Sequence, residues 1–143
     1  MQVKEVMTRG VVCARPQDTL QAAAARMKSL DVGSLPVCGD QDRLVGMITD
    51  RDVTVRATAE GESPKYVQVK DIMTPEVFSC FEDDDTNEAA RQMKDRQIRR
   101  LVVLNRDKRL TGIVSLGDLA VEGDRRQAAE ALRGVSEPAV PRR

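Results

Sequence analysis

Gly46-Met47-Ile48-Thr49-Asp50-Arg51-Asp52 and Gly112-Ile113-Val114-Ser115-Leu116-Gly117-Asp118 are one phrase written twice, 66 residues apart. The likeness extends outward without a gap, so that Val3 to Ala57 lies over Val69 to Gly123. Coinciding pairs include Met7/Met73, Thr8/Thr74, Asp18/Asp84, Met27/Met93, Leu35/Leu101, Val37/Val103 and Gly46/Gly112. Register held over that length is a duplication. A unit of about 55 residues buries only roughly 60% of its unfolded surface, which is marginal for folding alone. Two such units are expected to bury their apolar faces against each other, as one α+β domain with approximate two-fold symmetry and two equivalent inter-repeat clefts.

Each repeat reads strand, helix, strand, strand, helix, a βαββα unit. In the first, Val11–Ala14 is a short apolar run ahead of Pro16, and a helix is expected from Asp18, with Gln21 as reciprocal capping partner. Leu20, Ala23, Ala24, Met27 and Leu30 fall at helical spacing and predict one buried face. Leu35–Cys38 and Leu44–Ile48 are strands around the polar turn at 39–42, and Asp50 to about Ala59 returns to helix before Gly61 and Pro64. In the second, Val77–Cys80 is the strand, Asp85 to Arg96 the helix, Leu101–Leu104 and Leu110–Val114 the strands, and Leu116 to Gly123 the last helix. The boundaries expected are 1–60 for the first repeat, 61–123 for the linker and second repeat, and 124–143 for a C-terminal helix with a frayed tail.

Composition narrows the function. Among 143 residues, 23 basic side chains balance 23 acidic ones, so no long-range field favours nucleic acid or a membrane surface. Tyr66, Phe78 and Phe81 are the only aromatics, too few for the stacking platforms of single-strand binders. No apolar run approaches the roughly 20 residues of a membrane span. Cys13, Cys38 and Cys80 are odd in number and widely spaced, which suits a reduced, cytoplasmic protein. Histidine is absent, which removes histidine metal sites, Ser-His-Asp triads and Cys-His pairs. No metal site and no catalytic residue is expected.

In each copy of the phrase a hydroxyl closes a strand and a carboxylate follows three residues later, at a helix start. One reading is a capping box, in which Thr49 or Ser115 takes the orphan amides and Asp52 or Asp118 folds back. The other is a ligand site: a carboxylate only accepts hydrogen bonds and suits the vicinal hydroxyls of a ribose, while helix N-terminal amides and a hydroxyl suit phosphate.

Met7-Thr8, the runs Val32-Gly33-Ser34-Leu35-Pro36-Val37 and Ile98-Arg99-Arg100-Leu101-Val102-Val103, and the two phrases together resemble a pair of cystathionine-β-synthase (CBS) domains, a Bateman module. The resemblance spans about residues 1–123. With no catalytic segment left over, it is to free-standing CBS pairs, including hypoxic-response types. It implies a non-enzymatic regulatory module binding AMP, ADP, ATP or S-adenosylmethionine, with no obligatory cofactor, and a disc-like homodimer that acts on a regulated protein. By position it assigns ribose and phosphate to Thr49, Asp52, Ser115 and Asp118. It assigns adenine to Val32, Ser34, Pro36, Ile98, Arg100 and Val102, and the entrance to Thr8, Val11, Thr74 and Val77. The second repeat departs from Leu-Pro-Val by carrying Val102 in place of proline.

Two further readings stay open. Arg99 and Arg100, which replace Gly33 and Ser34, serve either solubility or phosphate pairing. The cysteines serve either as small apolar packing groups or as a redox sensor, and the latter needs an exposed thiolate. A nucleotide-independent interaction or dimerisation module remains the alternative to ligand binding.

Overall fold

Thr19, not Asp18, starts the first long helix. In the computed structural model, which describes residues 1–122 and 125–136, α1 spans Leu20–Leu30 and the Ala22 amide donates to the Thr19 hydroxyl at 3.1 Å. Asp18 instead accepts from the Arg15 amide at 2.9 Å and fixes the turn before the helix. Ala23 and Met27 are buried as their spacing predicts, but Leu30 is 46% exposed. The reason is that α1 stops there: Asp31 turns the chain into the left-handed region at φ 54°, so the last turn no longer lies on the core. Gln97 repeats this stop at φ 55° after the second long helix. Neither position is glycine, so the usual stop signal is missing from the sequence.

β1 (Ser34–Cys38) and β2 (Leu44–Thr49) form an antiparallel pair with Leu35 opposite Ile48 and Val37 opposite Gly46. β2 runs into α2 (Asp50–Asp52), a single turn that widens into a π-helix over Val53–Thr58. A short α3 (Val69–Ile72) follows. Leu20, Met27, Leu35, Val37, Ile48 and Val69 make the core of this unit.

In the second unit β3 (Ser79–Phe81) lies parallel to β4 (Arg100–Leu104), and β5 (Leu110–Ser115) completes a three-stranded sheet in the order β3-β4-β5. α4 (Thr86–Arg96) is capped by Asp85, which accepts from the Asn87 amide at 2.8 Å. α5 (Leu116–Glu122) and α6 (Arg125–Ser136) follow. The core holds Met93, Leu101, Val103, Val114 and Leu119, joined by Ala128 and Ala131 of α6. Gly134 seats α6 on α4, since a Cβ there would lie 2.5 Å from Lys94 Cγ. The tail expected after residue 136 lies outside the described residues.

The expected strand at Val11–Ala14 does not form. Only Ala14 pairs, in parallel with Val37. In the second repeat the same pairing extends over three residues, and beyond it the Glu82 amide donates to the Leu104 carbonyl at 2.8 Å. The counterpart of Glu82 is Pro16, which has no N–H to give, so the ladder stops.

The compact units do not follow chain order. One gathers Val12–Val77 with Lys108–Leu110; the other gathers Met1–Val11, Phe78–Asp107 and the described residues from Thr111 onward. Each motif is therefore flanked by the lead-in segment of the other repeat. Thr8 exchanges backbone hydrogen bonds with Ile113 at 2.8 and 3.0 Å, and Thr74 exchanges them with Met47 at 2.8 and 2.9 Å.

Candidate functional site

The two phrases close into the same local structure. The Asp52 amide donates to Thr49 Oγ1 at 3.0 Å, and the Thr49 amide donates to Asp52 Oδ2 at 3.0 Å. In the second unit the Asp118 amide donates to Ser115 Oγ at 3.0 Å, and the Ser115 amide to Asp118 Oδ2 at 2.9 Å. These are capping boxes, and the cap alone is worth about 1 kcal/mol. The cap leaves chemistry over. It occupies one oxygen of each carboxylate, and Oδ1 of Asp52 and of Asp118 has no protein partner among the described residues. Each hydroxyl is used as an acceptor and keeps its own proton to donate. Capping thus holds the carboxylate in one orientation with an acceptor to spare, so the cap and ligand readings are compatible.

The glycine that opens each phrase has a steric cause. A Cβ at Gly46 would lie 2.9 Å from the Thr74 carbonyl oxygen and 2.8 Å from Met73 Sδ. At Gly112 it would lie 2.6 Å from the Thr8 carbonyl oxygen and 2.9 Å from Met7 Sδ. The Met-Thr lead-in therefore reaches β2 and β5 only where the side chain is missing. A second matched contact fixes each helix start, since the Asp50 amide donates to the Gly33 carbonyl and the Leu116 amide to the Arg99 carbonyl, both at 2.9 Å.

The other sequence-assigned residues divide by unit. With Thr49 and Asp52 lie Thr74, which is exposed, the half-buried Ser34 and Val77, and Val32, which is 44% exposed. With Ser115 and Asp118 lie Thr8, Arg99 and Arg100, all exposed, and the half-buried Val11 and Ile98. Pro36 and Val102, assigned to adenine, are buried strand residues, and Pro36 lies opposite Met47. Their side chains are closed from solvent, and any contact there would fall to neighbouring backbone.

The C-terminal helix expected after residue 123 is α6, and what the sequence did not show is its place on the wall of a cavity. A cavity of about 670 Å³ in the second unit is lined by Arg99, Arg100, Ser115, Leu116 and Gly117, and also by Arg125, Ala128, Ala129 and Leu132 of α6. Arg125 has no counterpart in the first repeat, so the duplication gave no signal for it. In the first unit the counterparts of Arg99, Arg100, Ser115, Leu116 and Gly117 are Gly33, Ser34, Thr49, Asp50 and Arg51, and a smaller groove of about 350 Å³ there shares Asp50 and is lined also by Met27, Lys28, Asp31 and Val53 among others.

The cysteines are thiols. Burial pushes Cys38 and Cys80 up to about 12, helped at Cys38 by neighbouring Cys13 and at Cys80 by Asp84. Among the described residues no cluster of three or more His, Cys, Asp or Glu side chains could hold a metal ion, and no helix is long and apolar enough to cross a membrane.

Two α+β units, each ending a strand on a hydroxyl whose helix start carries a tethered carboxylate, define a tandem-repeat protein. The chain belongs to the CBS-domain family, whose domain matches residues 3–57 and 69–123. It is 36% identical over 117 residues to hypoxic response protein 1 of Mycobacterium tuberculosis, covering 82% of this chain and 81% of that protein. The crystal structure of hypoxic response protein I, with two coordinated zinc ions, superposes with a TM-score of 0.76 at 34% identity over 85% of this chain and 98% of that one. The CBS domain pair of protein MJ0100, in complex with 5′-methylthioadenosine and S-adenosylmethionine, gives 0.71 at 25% identity over 85% and 94%. CBSX2 in complex with AMP gives 0.71 at 26% identity over 84% and 93%.

Proposed function

We propose that this chain is a non-enzymatic regulatory module that binds an adenosyl ligand, AMP, ADP, ATP or S-adenosylmethionine, through Thr49 with Asp52 and through Ser115 with Asp118. The observation that carries the reading is the free Oδ1 of each capped carboxylate. An oriented acceptor with spare lone pairs matches the paired 2′- and 3′-hydroxyls of ribose, and the adjacent hydroxyl keeps a proton for phosphate. The relatives bound to methylthioadenosine, S-adenosylmethionine and AMP support it. We further propose that the module works in the cytoplasm as a symmetric homodimer, which light scattering at tens of micromolar would test against a monomer.

A screen of AMP, ADP, ATP, S-adenosylmethionine and NAD by melting temperature tests the ligand reading. Ligand at a hundred times its dissociation constant adds about 2.7 kcal/mol, a rise of very roughly 5–20 °C for a domain of this size. No shift at millimolar ligand would leave the second reading, a nucleotide-independent interaction module. That reading has its own support, because the caps account for the motif hydroxyls and carboxylates without any ligand. At Cys38 and Cys80 the thiol-sensor reading has no support, because thiols raised to about 12 are not thiolates at neutral pH, and a sensor would have to rest on the half-buried Cys13.

A further inference from the structure

The cavity of the second unit is asymmetric in its charge. Arg99 and Arg100 stand at the start of β4, and Arg125, in the first turn of α6, lines the same cavity. None of these three guanidinium groups has an ion-pair or hydrogen-bond partner among the described residues. No carboxylate among the described residues lines the cavity: Asp118 is turned back onto the Ser115 amide and is not on its wall. Apart from Ser115 the remaining wall is apolar, through Leu116 and Leu132 among others. Cations gathered around one opening favour an anion that enters it, and guanidinium forks match phosphate oxygens. The positions of the first unit that correspond to Arg99, Arg100, Leu116 and Gly117 are Gly33, Ser34, Asp50 and Arg51, one negative and one positive charge, and the first unit has no counterpart of α6 among the described residues.

We propose that this cavity is a polyphosphate subsite, completed by Arg125 of the helix that follows the second CBS domain. A chain of two or three phosphates bridges Arg99 and Arg100 to Arg125 and so holds α6 in place. The phosphate chain can belong to a nucleotide, in which case the inference rests on the adenosyl reading above, or to free inorganic polyphosphate. The apolar wall suits the first source only if the nucleoside enters with the phosphates. Gly134 makes the seat of α6 sensitive, since its Cα is packed directly on Lys94.

The test measures binding of tripolyphosphate, ATP, AMP and adenosine to the full chain and to Arg125→Ala by calorimetry, with amide exchange of α6 as the second readout. Arg125 is exposed, so the variant should fold, and its unliganded melting curve checks that. The expected result is that Arg125→Ala weakens tripolyphosphate and ATP by about tenfold or more and drives the ATP-to-AMP ratio toward one. Tripolyphosphate should also slow exchange in α6 of the wild-type chain. Unchanged affinity for both compounds in Arg125→Ala would overturn the subsite, as would tripolyphosphate failing to bind. If tripolyphosphate binds through Arg125 while no adenine compound binds, the subsite stands for free polyphosphate and the adenosyl reading falls. If all adenine compounds bind equally whatever their phosphate number, the adenosyl reading stands and the subsite falls.

Discussion

The two units share the backbone of the repeated phrase and differ in what surrounds it. Thr49 with Asp52 and Ser115 with Asp118 form hydrogen bonds that agree within 0.1 Å, and Gly46 and Gly112 admit the same Met-Thr segment. Around that constant frame the first unit places Asp50 and Arg51 where the second has Leu116 and Gly117, and Gly33 and Ser34 where the second has Arg99 and Arg100. The first leaves the face of α1 and α2 as an open groove; the second covers the matching face with α6. Duplication thus preserved the parts set by hydrogen-bond geometry and steric clearance. Charge and an added helix, which cost the frame nothing, were free to diverge.

The steric part of that comparison predicts the largest effects. Gly112→Ala places a Cβ 2.6 Å from a backbone oxygen, which cannot swing aside as a side chain can. Overpacking of this kind costs about 1–3 kcal/mol or more, and urea unfolding should show it. Gly46→Ala meets the equivalent oxygen at 2.9 Å and should cost less. Equal losses at the two sites would mean that the lead-in segments yield alike.

The next effect separates cap from ligand anchor. Asp52→Ala and Asp118→Ala should each lose about 1 kcal/mol of stability with the cap. Ligand affinity should fall by about 1.5–3 kcal/mol, the worth of a charge-assisted bond. Wild-type binding in both variants would leave the carboxylates as caps only.

Charge should then sort the units by ligand. The double variant Arg99→Ala/Arg100→Ala should lower the ATP-to-adenosine affinity ratio by about tenfold. The adenosine affinity of the first unit should stay as it is. An unchanged ratio would remove these arginines from the site and turn them back into solubility residues.

The smallest effect at neutral pH comes from the thiols, where the two units should behave alike. Cys38 and Cys80 hold their protons to about 12 when folded, against an ordinary value of 9.0. A raised value means that the folded state keeps a proton the unfolded chain has lost. Stability is therefore complete below about pH 9 and falls as pH rises from there toward 12. The melting temperature should be level from pH 6 to 8 and decline above 9, while a thiol reagent at pH 7 should modify Cys13 first. Rapid labelling of Cys38 would revive the redox-sensor reading.

Much of the site was legible because its parts are neighbours in the chain. A hydroxyl and a carboxylate three residues apart at a strand end specify a capping box wherever they occur, and their repetition marked both as a matched pair. Asp18 misled because Thr19 beside it is also a competent cap, and the choice fell to Arg15, whose amide took the Asp18 carboxylate. The lost first strand was written in Pro16, but its meaning needed the partner carbonyl that Glu82 shows in the other repeat.

The sequence by itself determined the duplication, the α+β repeat, the family and the four residues of the two caps, since each depends on pattern or on contacts within a turn. Tertiary structure decided which lead-in meets which motif, pairing Thr8 with Ile113 and Thr74 with Met47. It also decided that Pro36 and Val102 are buried and that Arg125 faces the same cavity as Arg99 and Arg100. Those outcomes join residues far apart in the chain, and local propensity carries no term for them. They follow from close packing, which admits the Met-Thr backbone only over a glycine and seats α6 only where Gly134 meets Lys94.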